Sequence, residues 1–195
     1  MNKQFLQKSK TFVLRCYWNF WNSESSSEAY TKLFKIGFKD ETLQDFAIGW
    51  NHKPMTRSLR SFGFEEGKIT IPEGIVIPYL VDKEVYGFKV FSLSFDEIFT
   101  MPESRFTPHI FNNNSDVTVV VQTEIDGFLM VQDMTQKANI IILTGCEPDI
   151  ETIGLLEKSK KILIEEKLKN KFKKITLDKY FFNSFEMCKK IMNSV

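Results

Sequence analysis

Histidine is scarce in this 195-residue chain, which holds only His52 and His109. Cysteine is scarce too. Its three copies, Cys16, Cys146 and Cys188, stand too far apart in sequence for a local metal knuckle. No zinc site of the Cys/His type is therefore expected, nor a multi-histidine metal centre. An odd cysteine count fits a reduced, cytoplasmic protein better than a disulfide framework. Nothing local would activate a thiol in a Cys146/His109 pair, so nucleophilic thiol chemistry is not indicated. The nine glycines are scattered and match neither G-x-G-x-x-G nor G-x4-G-K-[ST], which argues against a Gly-rich phosphate loop. Runs of about 18 apolar residues are absent. Near the N-terminus, Lys10 and Arg15 interrupt the apolar stretch and no small-residue cleavage site follows, so neither a membrane span nor a secretory leader is expected. Net charge is missing as well: 26 Lys and Arg against 25 Asp and Glu leave +1. That balance excludes a strongly basic nucleic-acid tail and an acidic disordered segment.

What the chain has in quantity is apolar and aromatic mass. Hydrophobic residues make up 43%, aromatics 14%, and there are 19 Phe, ample for a packed core. Residues 3 to 22 carry Phe5, Phe12, Val13, Cys16, Phe20 and Trp21 at helical spacing. The polar run from Asn22 to Ser27 ends that helix and offers an N-cap to the next. A second helix is expected over 27 to 37, with Gly37 at its C′ position, and a third, capped by Asp40, through Phe46. Beyond 68 the period changes. Residues 68 to 80 read as two short strands broken at Pro72-Glu73-Gly74, and 85 to 93 as their partner. Residues 94 to 116 are turn-rich and end in Asn112-Asn113-Asn114-Ser115-Asp116. VTVVV (117 to 121), ANIIILTG (138 to 145) and KKILIEE (160 to 166) are apolar, β-branched runs suited to strands buried on both faces of a parallel sheet. Helices are expected at 126 to 136 and 149 to 159, and a terminal helix is read from Phe181, Phe182, Phe185, Met187, Ile191 and Met192. Alternating strand and helix gives an α/β unit with right-handed crossovers.

Three segments resemble one known family. AYTKLFKIGFKDETLQDFAIGW (29 to 50) is similar to the primase-core pattern in which a helix ends in "L..RGI" and is followed by "..ETI..F.LGY". KITIPEGIVIPYLVDKEVYGFKV (68 to 90) resembles the next strand pair of DnaG-type and plasmid or phage primases. VTVVVQTEIDGFLMVQ (117 to 132) looks like the first TOPRIM motif, "v.vvEGe.Dal...q". The segments stand in the family's order. The fold implied is α/β: an N-terminal helical and small-β primase-core-like region, then a TOPRIM-like parallel sheet flanked by helices. Boundaries are expected at 1–26 (amphipathic helix), 27–115 and 116–195. The activity the resemblance implies is template-directed primer synthesis. It would use magnesium, held by a Glu in the first motif and an Asp-x-Asp pair after a later strand. Carboxylate oxygens suit that hard cation, which neutralises charge during phosphoryl transfer.

The sequence departs from that pattern where the chemistry sits. The motif's Glu falls on Gln122, and an amide is no general base, a function worth roughly 100- to 10,000-fold. After KKILI the chain reads Glu165-Glu166-Lys167-Leu168-Lys169 in place of Asp-x-Asp. Glu124 and Asp126 remain as candidate catalytic acids. With Glu165 and Glu166 they form a candidate magnesium set at the C-terminal ends of neighbouring strands, where open α/β sheets bind ligands. The alternative is that Glu124 and Asp126 are a solvated helix start, favoured by the helix dipole.

Candidate nucleic-acid contacts are basic. Nine lysines lie between 158 and 179. Among them Lys167, Lys169, Lys171, Lys173 and Lys174 surround Phe172, an arrangement able to track phosphates and stack a base. Arg57 and Arg60 form a smaller cluster, and Lys89 stands where the family has an arginine. A solvated helix face is the plainer account of the lysines. Three function readings follow. The first is a catalytically degenerate primase-like module that binds single-stranded DNA, RNA or a replication protein such as a helicase, without a cofactor. The second is an active magnesium-dependent primase or nucleotidyltransferase with a rearranged acidic site. The third is a protein-interaction module from a mobile element or host–virus conflict, docking through Phe5, Phe12, Trp18 and Trp21.

Overall fold

The computed structural model describes residues 2–82, 84–134, 136–172 and 179–193. It divides into two units between Phe106 and Thr107. The first begins with α1 (Lys3–Asn22), α2 (Ser27–Lys35) and α3 (Asp40–Asp45). A four-stranded antiparallel sheet follows, in the order β1 (Gly49–Asn51), β4 (Gly74–Val81), β5 (Glu84–Phe91), β6 (Ile98–Thr100), and a separate ribbon pairs β2 (Met55–Ser58) with β3 (Lys68–Ile71). Asn2 caps α1 by accepting from the Gln4 N–H at 2.9 Å. One stripe of the helix then enters the core: Phe5, Phe12, Val13, Cys16 and Phe20 are all buried. Phe12 stacks on Phe88 of β5, ring centroids 4.6 Å apart. The helix ends at Ser23, whose N–H donates to the Asn19 carbonyl. Gly37 takes φ of 107° just beyond α2, as the C′ position requires. Asp40 is not a cap but a first-turn residue of α3; the preceding Lys39 is the N-cap, and the Tyr30 hydroxyl donates to the Asp40 carboxylate.

The docking face read into α1 is mostly core. Phe5 and Phe12 are buried and Trp21 is half-buried; Trp18, with Leu14 one turn before it, stays exposed. The third helix has its C-cap at Phe46, as its sequence indicates, and a strand that the sequence did not signal follows at Gly49–Asn51. β1 passes so close to α1 that a Cβ on Gly49 would stand 2.7 Å from the Cys16 carbonyl carbon.

The second unit is a five-stranded sheet in the order β11 (Lys179–Phe182), β10 (Lys161–Glu165), β8 (Val117–Val121), β9 (Asn139–Ile142), β7 (His109–Phe111). All neighbours are parallel except β7 against β9. Helices α4 (Glu124–Met134), α5 (Ile150–Lys158) and α6 (Phe185–Asn193) follow β8, β9 and β11 in the chain. The central strands are buried along nearly their whole length, as their uniform apolar sequence requires. A polar clamp fixes the N-terminal end of this sheet. Asn139, 1% exposed, accepts from the Asn113 and Ser115 N–H groups and donates to the Ser115 carbonyl and the Thr118 hydroxyl. Phe181 and Phe182, read as helical, belong to β11: pairing with Ile164 and Glu165 outweighs their helical spacing. The terminal helix starts later, at Phe185, where Ser184 accepts from the Met187 N–H. No helix among the described residues is long and apolar enough to cross a membrane.

Two outcomes test this packing. Burial pushes the Cys16 and Cys188 thiols up to about 12, so almost no thiolate exists at pH 8. In the native protein both should resist iodoacetamide and react only after urea unfolding, read by mass spectrometry. Gly49→Ala should cost about 1–3 kcal/mol in urea denaturation, because its methyl meets backbone that cannot yield.

Candidate functional site

The C-terminal ends of β8 and β10 lie side by side, since Ile164 pairs with Val120. Gln122 and Thr123 leave β8, and Glu165 ends β10. The Gln122 backbone N–H donates to Glu165 Oε2 at 2.8 Å. Lys167, in the 3-10 turn Glu166–Leu168 that follows, places Nζ 2.5 Å from Glu165 Oε1 and 3.6 Å from Asp126 Oδ2. Asp126 is held from its own helix as well. Thr123 Oγ1 donates to Asp126 Oδ2 at 2.5 Å and accepts from the Asp126 N–H at 3.3 Å. Thr123 thus satisfies one orphan amide at the start of α4, and Asp126 sits at the positive end of the helix dipole.

The structure therefore brings Asp126 and Glu165 to one ammonium. It places the other two candidate acids differently. Glu124 is buried at 3% exposure in the first turn of α4. Glu166 is exposed and faces Lys169 at 3.9 Å. Among the described residues, no three His, Cys, Asp or Glu side chains converge as a metal would need. The donor set does not fit magnesium. Gln122 offers an amide and no carboxylate, both Glu165 oxygens have partners, and Lys167 contributes a positive charge next to them. A pocket of about 50 Å³ borders the two acids, lined also by Val121, Met130, Phe182 and Phe185. It has room for a few waters, whereas ligand pockets run to roughly 300–1,000 Å³.

The basic candidates scatter. Lys169 lies 5.2 Å over the Phe181 ring, and Lys171 bonds Glu147 and the Cys146 carbonyl. Phe172 is buried and presents no stacking face. Lys173 and Lys174 lie outside the described residues. Lys89 is 7% exposed on β5, its Nζ 4.9 Å over the Phe106 ring. Arg60 pairs with Glu66. Arg57, on the exposed side of β2, makes no ion pair among the described residues. Sequence reasoning listed Lys167 as a phosphate contact and missed its bond to Glu165. The signal available was its i+2 spacing from that acid just past a strand end.

Separating the two partners of Glu165 tests their roles. Glu165→Ala should cost about 2 kcal/mol by leaving the Gln122 amide without an acceptor. Glu165→Gln keeps an acceptor and loses only an ion pair whose lysine is half exposed, so it should cost under about 1 kcal/mol. Urea denaturation of the two variants reads the difference.

No family model and no curated protein matches the sequence. Solved structures do. A DnaG primase catalytic domain bound to ssDNA superposes with a TM-score of 0.67 at 15% identity, covering 98% of this chain and 81% of that one. The Aquifex aeolicus primase (zinc-binding and RNA polymerase domains) gives 0.67 at 14% identity, over 98% of this chain and 61% of that one. The RNA polymerase domain of Mycobacterium tuberculosis DnaG, in complex with double-stranded DNA carrying a 6-nucleotide overhang, gives 0.66 at 13% identity, over 100% and 78%. The likeness at such identities is one of fold: the chain has the architecture of the DnaG primase catalytic core.

Proposed function

We propose that the chain is a nucleic-acid-binding module built on the primase-core fold, in which metal-dependent nucleotidyl transfer has been given up. The observation that carries this reading is the Lys167 ammonium between Glu165 and Asp126. It neutralises from within the charge that would otherwise attract a divalent cation. The amide at Gln122 supports the same reading, because it supplies neither the negative charge nor the base that the resemblance calls for. Binding to a strand is supported by the fold shared with primase domains solved with single- and double-stranded DNA.

The test joins metal, catalysis and binding. Calorimetric titration of Mg²⁺ and Mn²⁺ into the unaltered protein should show no saturable binding at millimolar metal, and Asp126→Ala should behave identically. No primer should form on a single-stranded template. A labelled single-stranded oligonucleotide should bind weakly and lose affinity as salt rises. Magnesium-dependent primer synthesis, or metal binding that Asp126→Ala abolishes, would overturn the reading in favour of an active enzyme.

A further inference from the structure

The first unit carries a basic groove that the acid site does not explain. It runs between α1 and the segment from β2 to the following 3-10 turn (Leu59–Phe62), with a volume of about 260 Å³. Lys8 and Arg15 enter it from α1, and Arg57 from β2. Among the described residues, no carboxylate lines it. Other cations of the chain do have acids, as in Lys10 with Glu84, Lys160 with Asp116 and Lys189 with Asp133. Among the described residues, none of Lys8, Arg15 and Arg57 makes an ion pair. Three unneutralised charges facing one groove repel one another, and a bound anion relieves that repulsion.

The groove is also built to hold its shape. Arg15 lies over the Phe12 ring at 5.2 Å and contacts the Met55 sulfur at 3.4 Å, so its guanidinium has a fixed seat. Thr11 adds a hydroxyl on the same helix face, one turn from each of Lys8 and Arg15. Lys8 and Arg15 are seven residues apart, about 10 Å along the helix. Cations spaced along a helix face in this way suit the successive phosphates of a strand.

We propose that this groove binds the phosphodiester backbone of a nucleic-acid strand, with Lys8, Arg15 and Arg57 each meeting a phosphate. The proposal rests on the binding reading above and assigns it a place. The experiment is fluorescence anisotropy of a labelled single-stranded 12-mer between 50 and 200 mM salt. Three contacts give a slope of about −2 in log affinity against log salt, an about twentyfold loss over that range. Lys8→Gln/Arg57→Gln should weaken binding at low salt and reduce the loss to about two- to threefold. Lys160→Gln/Lys189→Gln, which removes equal charge from paired lysines, should leave the slope unchanged. Strand binding with the same affinity and slope in both double variants would overturn the groove and leave the binding reading standing. Absence of strand binding by the unaltered protein would sink both. Inorganic phosphate or a mononucleotide competing at the strand's own affinity would make the groove a free-anion pocket and overturn the assignment to a strand.

Discussion

The parallel register between β8 and β10 is the constraint from which the acid site follows. Pairing Ile164 with Val120 brings the last carboxylate of one strand level with the first free amide beyond the other. Glu165 then has no choice of partner on that side. Its second oxygen faces the turn that begins immediately afterwards, and Lys167 is the residue that turn delivers. A register slip would send Glu165 to the opposite face and release both bonds. The apolar runs on either side, buried on both faces, prevent the slip.

Sequence and structure agree best where burial is uniform. The three β-branched runs announced β8, β9 and β10, because nothing but a sheet covered on both sides needs such segments. α1 was equally plain: five core residues fall on one stripe. The three-residue strands left no such mark. β1, β6 and β7 exist because a longer neighbour offers them a ladder, and β11 overrode a helical pattern for the same reason. Such pairing is non-local, so no window of sequence contains it.

The site was half legible. That acids gather at strand ends could be read from chain order, and Asp126 and Glu165 do share a partner. What each acid is bonded to could not be read. Glu124 and Glu166 look equivalent to the others in sequence, yet one is buried and the other faces solvent. The basic residues teach the same lesson with the opposite sign. Within the dense lysine run, Lys161, Lys169, Lys171 and Lys179 are spent on carbonyls, rings and carboxylates of their own unit. Of the three groove cations without an acid, Lys8 and Arg15 stand in a helix whose sequence advertises aromatic packing. Charge density along a chain is a poor guide to charge available to a ligand.

Asn139 has a consequence for dynamics. Its four bonds tie a loop rich in asparagine to the first residues of two adjacent strands, across 21 to 26 positions of sequence. A loop of that composition, left alone, would fluctuate on the nanosecond scale. Here the amides of Asn113 and Ser115 are sealed by a side chain that is itself part of the sheet. Their exchange with solvent deuterium must wait for the strands to part, so a surface loop inherits the protection of the core and opens with it as one cooperative unit.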